Sequence, residues 1–173
     1  MPYADADLAF GAFLVKQLVD LRANPPLVKR GFQSLGKLNA ELHLLGLRLV
    51  EKKAEGPEGG AMLFYVRGNV LVRIKTRGTS SRYRGGVPHL SVSLVSGART
   101  SAGALDTSFG AEQGKFHAGG GLVNKQAPGK SSIYNTAHNV HAKNNAEDWS
   151  DRTHFDFPDL SLDDASIDNI HPL

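Results

Sequence analysis

Leu8, Ala12, Val15, Leu18 and Leu21 recur at helical spacing. Asp5 or Asp7 is placed to cap the helix they predict, and Asn24-Pro25-Pro26 stops it. Pro26 then opens a second predicted helix, with Leu35, Leu38, Leu42 and Leu45 on one face and Gly46 as its C-terminal stop. Each helix has one apolar face, so each must cover another surface.

From Leu47 the period falls to two. Residues 47–51 read as a strand, and the turn-rich AEGPEGG follows. Residues 61–67 and 70–77 flank Gly68-Asn69, a two-residue hairpin signal, and 89–95 reads as the next strand. Links this short predict antiparallel neighbours. Residues 97–146, rich in Gly, Ser, Asn and Lys, read as a long loop region, and WSDRTHFDFP at 149–158 as a last strand. The expected fold is therefore α+β: two N-terminal helices packed on a twisted antiparallel sheet, with a long Gly/Asn-rich loop region. One domain is expected over 1–173, with a helical part at 1–46, a sheet region at 47–158 and an acidic tail at 159–173.

Composition adds three constraints. There is no cysteine, which removes disulfides and thiolate metal sites. The apolar stretch Leu8–Val15 is far short of the ~20 residues of a membrane span. Asp5 and Asp7 stand where a signal peptide carries positive charge, so no targeting segment is expected. Charge is divided unevenly. Residues 1–146 hold nineteen Lys/Arg against nine Asp/Glu, and 147–173 hold one against eight. No acid lies between Glu58 and Asp106, and a basic body of this kind favours a polyanionic partner.

Strand alternation gives that charge a direction. Val70, Val72, Ile74 and Thr76 point one way, while Leu71, Arg73, Lys75 and Arg77 point the other. In the next strand Leu90, Val92 and Leu94 oppose His89, Ser91 and Ser93. The apolar sets suit the helices. The second face gathers cations, a histidine and hydroxyls, which fits cleavage of a phosphodiester. A histidine near neutral pH takes or gives a proton, and cations stabilise charge on the phosphate. In THFDFP, His154 and Asp156 share a face, so Asp156 is placed to orient His154. His117 sits in GKFHAGGG, a stretch that allows close approach to a phosphate. The candidate catalytic residues are His89, His154, Lys75, Arg73 and Thr76; the candidate substrate-binding residues are Arg77, Arg82, Arg84, Ser91 and His117. No cofactor and no metal is expected. Gly119-Gly120-Gly121 lacks the Lys-Ser/Thr of a nucleotide-binding loop.

The stretch VLVRIKTRG…PHLSVSL followed by WSDRTHFDFP resembles C-terminal toxin domains of bacterial polymorphic toxins of the Rhs and contact-dependent inhibition type. The element order is similar to the barnase/EndoU/colicin/RelE ribonuclease superfamily. The resemblance spans residues 47–158. It implies metal-independent RNA cleavage, with tRNA one candidate target, and neutralisation by a cognate immunity protein of acidic character. It also implies a monomeric domain that does not insert in membranes. Such a domain is secreted or delivered from the cell surface and acts in the cytoplasm of a target bacterium. His89 matches the strand histidine, Arg73 and Lys75 match the basic strand positions, and His154 the second acid/base group.

Other readings stay open. His138-Asn-Val-His141, with His154 or Asp156, has the spacing of a metal site for a metal-dependent DNase. An ADP-ribosyltransferase toxin and a non-enzymatic nucleic-acid-binding module are further alternatives. The plainest is a solvated outer sheet face whose cations protect an edge.

Overall fold

A computed structural model of the chain describes residues 3–55, 60–76, 87–124, 152–160, 162–163 and 167–172. In chain order the elements are α1 (Asp5–Leu18), β1 (Val19–Asp20), β2 (Leu27–Val28), a short 3-10 turn at Arg30–Gln33, α2 (Leu35–Leu44), β3 (Arg48–Glu55), β4 (Gly60–Arg67), β5 (Val70–Lys75), β6 (His89–Val95), β7 (Glu112–Phe116), β8 (Leu122–Asn124) and β9 (Phe155–Asp156). The class is α+β. Strands run in the order β1-β2-β9-β6-β5-β4-β3, with β7 also paired to β6 and β8 to β7. The sheet is mixed rather than antiparallel throughout, because β2 pairs β9 in parallel.

The sheet centre follows the alternation in the sequence. Gly68 has φ +60° and opens the two-residue turn between β4 and β5, the pattern of a II′ hairpin. Val70, Val72, Ile74, Leu90, Val92 and Leu94 are all buried, in one cluster with Leu14, Leu18, Leu35, Leu38 and Leu42 of the helices. Each such side chain stabilises the fold by ~1.5–3 kcal/mol when fully buried. Tyr65 joins this core, and its hydroxyl donates to Asn39 Oδ1 of α2 at 2.6 Å. Burial pushes its phenol pKa far upward.

Elsewhere the chain departs from its pattern. Asp5 and Asp7 lie in the first turn of α1, where negative charge favours the helix dipole, but Ala4 is the N-cap. Asp7 Oδ1 instead faces the Asn69 N–H at 3.5 Å. The helix ends at Leu18 and runs straight into β1, which leaves Leu21 outside it and exposed. Helix α2 opens at Leu35 rather than at Pro26, with Ser34 Oγ accepting from the Lys37 N–H at 3.4 Å. Leu27 and Val28 are extended because they pair with β1 and β9, distant partners that the local pattern does not show. The expected strand at 47–51 continues to Glu55, with a register shift between Leu49 and Glu51.

The expected loop at 97–146 contains β7 and β8, and its residues 125–146 lie outside the described ones. Described residues of the acidic tail pack on the body of the fold. Leu162 and Ile170 enter the core, Lys52 Nζ donates to Ile167 O at 2.9 Å, and Arg30 pairs with Asp159 at 3.0 Å. Gln33 Nε2 donates to Pro158 O. Among the described residues no helix is long and apolar enough to cross a membrane.

One contact between layers depends on a missing methyl group. Gly11 faces the buried Phe116 ring of β7, and a Cβ there would overlap ring atoms Cζ and Cε2. Alanine favours a helix by ~1 kcal/mol over glycine, yet overpacking costs about 1–3 kcal/mol. Gly11→Ala should therefore lower the unfolding free energy in denaturant. Gly31→Ala, with open space around its new Cβ, should change it little. A Gly11→Ala protein more stable than wild type would contradict this packing.

Candidate active site

Directly paired residues of antiparallel strands project from the same side of a sheet. One such row runs Lys53–Met62–Lys75–His89–Asp156 across β3, β4, β5, β6 and β9. A second runs Glu51–Phe64–Arg73–Ser91, and a third Leu71–Ser93–Lys115. These rows form the sheet face opposite the helices. It is covered: a second apolar cluster of Met62, Phe64, Leu71 and Val95 lies on it, with Val50, Val66 and Leu105 against it. The reading of this face as open or solvated is corrected accordingly, because Arg73, His89 and His154 are only 9%, 4% and 5% exposed.

The outer edge of β6 is shared by two strands. β9 pairs with His89 and Leu90, and β7 pairs from Ser93 to Val95. His154 immediately precedes β9 and its ring meets that of His89 edge-on, with centroids 5.7 Å apart and planes at 62°. His89 Nδ1 lies 2.8 Å from Val87 O. A carbonyl only accepts, so the neutral ring carries its proton on Nδ1 and its lone pair on Nε2. His154 Nδ1 shares a hydrogen bond with Thr153 Oγ1 at 3.0 Å.

Beside the pair lies a buried charge network centred on Glu112. Its Oε2 is 3.1 Å from Arg73 Nη1 and its Oε1 is 3.1 Å from Lys115 Nζ. Lys115 Nζ also donates to Ser91 Oγ and Ser93 Oγ, both at 3.2 Å, and meets Glu112 Oε1 as an ion pair. Arg73 Nη2 donates to Thr107 O at 3.2 Å, and the guanidinium lies 5.4 Å over the Phe64 ring. One carboxylate thus serves two cations. The Lys115 pKa is lowered to about 8, chiefly by burial; Glu112 opposes the shift, and Arg73 and Lys75 add to it.

The predicted residues are thus placed as follows. His89 and His154 are brought together, Lys75 stands beside His89 in its row, and Arg73 and Ser91 belong to the Glu112 network. Thr76 is elsewhere: its Oγ1 accepts from the Ala61 N–H at 2.8 Å, closing the hairpin end. His117 sits in the turn between β7 and β8, where its Nδ1 accepts from the Gly119 N–H at 3.0 Å. Arg77, Arg82, Arg84, His138 and His141 lie outside the described residues. Among the described residues no group of three or more His, Asp or Glu is placed to hold a metal ion.

Glu112 and Lys115 were not visible in the pattern. Three residues apart on a strand, they should face opposite ways. The register slips between Leu94↔Gly114 and Val95↔Glu112, and that bulge turns both onto one face. The available signal was chemical: a lone acid and a lysine inside a run otherwise poor in acids.

The chain matches no protein-family model, no curated protein and no solved structure at a significant level.

Lys115 holds its proton less tightly when folded than when unfolded, so unfolding takes up protons between about pH 8 and the ordinary lysine value near 10.4. Stability gains from rising pH across that window. Tyr65 acts in the opposite sense once pH passes about 10. Denaturant unfolding from pH 8 to 10 should therefore show wild type gaining stability relative to Lys115→Met. Parallel curves would show that Lys115 is not the depressed group.

Proposed function

We propose that this chain is a metal-independent endoribonuclease of barnase/EndoU/colicin/RelE type, acting as the toxin domain of a polymorphic toxin. The observation that carries the reading is the His89–His154 ring pair on a sheet face that also holds Lys75, Arg73 and Lys115. His89, with its lone pair on Nε2, is the base. It takes the proton of a ribose 2′-hydroxyl, whose oxygen attacks the adjacent phosphorus. His154 in its protonated form gives a proton to the departing 5′-oxygen, leaving a 2′,3′-cyclic phosphate. The cations stabilise negative charge on the phosphoryl oxygens, which is the usual source of several kcal/mol of rate enhancement.

Both rings are nearly covered in the folded chain, so access for RNA requires the cover of this face to part. A basic nuclease face of this kind is also suited to an acidic inhibitor protein, since complementary charge speeds encounter.

Purified protein incubated with total RNA and with plasmid DNA, with and without EDTA, tests the reading. RNA should be cut in EDTA, with cyclic phosphate ends, and a 2′-deoxy substitution at the cut should block the reaction. His89→Ala and His154→Ala should each slow cleavage by about 100-fold or more. Cleavage of DNA, dependence on a metal, or full activity in both variants would overturn it.

A further inference from the structure

A groove of about 880 Å³ opens on the same sheet face, over β3 and beneath the segment from Arg99 to Ser108. Its size lies within the range of ligand sites. The wall is a built structure. Arg99 bridges Leu105, Thr100 N–H donates to Ala104 O at 2.8 Å, and Asp106 N–H donates to Ala98 O at 2.8 Å. Val50, Val66 and Leu105 give the groove an apolar side, while Arg48, Lys53 and Arg99 bring positive charge to it.

Its carboxylates are already engaged. Glu51 lies 3.6 Å from Lys53 Nζ and accepts from Thr107 Oγ1 at 3.4 Å. Asp106 Oδ1 accepts from the Ser108 N–H at 2.9 Å, and the Ser108 hydrogen bonds hold its pKa below the usual carboxylate value. The guanidinium groups of Arg48 and Arg99 have no ion pair among the described residues, which leaves them as the groove's uncommitted cations.

Position links the groove to the histidines. Lys53 and His89 belong to one row, separated by Met62 and Lys75. Three strand spacings of ~4.8 Å set their backbones about 14 Å apart. Thr107 joins the two regions directly, because its carbonyl accepts from Arg73 while its side chain faces Glu51.

We infer that this groove is a subsite for single-stranded RNA beyond the cut, with phosphates at Arg48 and Arg99 and a base against the apolar side. The inference rests on the ribonuclease reading for its substrate. Single-strand binding combines a cationic groove that tracks the backbone with contact to base faces; aromatic rings usually make that contact, and here the aliphatic Val50, Val66 and Leu105 take their place. A dinucleotide cut at the histidines stops short of the groove; a longer strand reaches it.

The test compares Arg48→Gln/Arg99→Gln with wild type on a dinucleotide and on a longer oligoribonucleotide with the same scissile step. On the oligonucleotide, KM should rise about tenfold with kcat unchanged, while dinucleotide cleavage should stay within twofold. The salt slope of oligonucleotide binding should shrink by about 1.4, from two lost contacts at ~0.7 each. Arg48→Lys/Arg99→Lys should retain most of the oligonucleotide affinity, and unfolding curves of both variants should match wild type. Unchanged oligonucleotide KM, or equal loss on the dinucleotide, would overturn the subsite. Binding of an uncleavable 2′-deoxy oligonucleotide separates this result from the catalytic reading. If wild type cuts no RNA, that reading fails. The groove then stands if the Gln variant binds this strand more weakly, and falls if both proteins bind it alike.

Discussion

Glu112 is the residue on which the polar side of this sheet depends. Two buried cations, Arg73 and Lys115, meet it at 3.1 Å each. The serines of β6 accept from Lys115, the Thr107 carbonyl accepts from Arg73, and Arg73 Nε is left buried without a hydrogen-bond partner among the described residues. Removing one partner from such a buried set typically costs about 3–5 kcal/mol, because it strands a charge away from water. Replacement of such buried ion pairs by well-packed apolar side chains is often neutral or stabilising, so the network is weak evidence of stability by itself. With two cations to one carboxylate, the network keeps an excess of positive charge beside the histidine pair, and under the proposed ribonuclease reading a phosphodiester would offset it.

The two faces of the sheet divide the labour. Toward α1 and α2 the side chains are Leu, Val, Ile and Phe, closely packed around Tyr65. Toward the other side, rows of Lys, Arg, His and Ser are interleaved with Met62, Phe64 and Leu71. Splitting the edge of β6 between β7 and β9 brings the network and the histidines together, since each strand delivers one of them. The tail follows β9 directly, pairs Asp159 with Arg30 and places Leu162 and Ile170 in the core shared with the helices.

Period-two alternation made β4, β5, β6 and their hairpin legible, together with the side on which His89, His154 and Asp156 stand. It indicates a side but not a cover, so the burial of that side was invisible. Leu27 and Val28 were misread because their extended form is set by β9, more than a hundred residues away. Glu112 and Lys115 were missed because residues 97–146 read as a loop, so β7 itself was not expected; the bulge that turns both onto one face lies beyond any simple alternation. The tail's acids showed its charge but no element, and the anchoring role of Leu162 and Ile170 was not legible in two isolated apolar residues.

The pH dependence of kcat/KM for RNA cleavage tests the central claim most directly. A base and an acid acting together give a bell with two limbs. His154→Ala should remove the limb on the alkaline side, where the acid must keep its proton, and leave the acidic limb in place. A bell of unchanged shape in His154→Ala, reduced or not in height, would contradict the assignment of the two histidines to proton transfer.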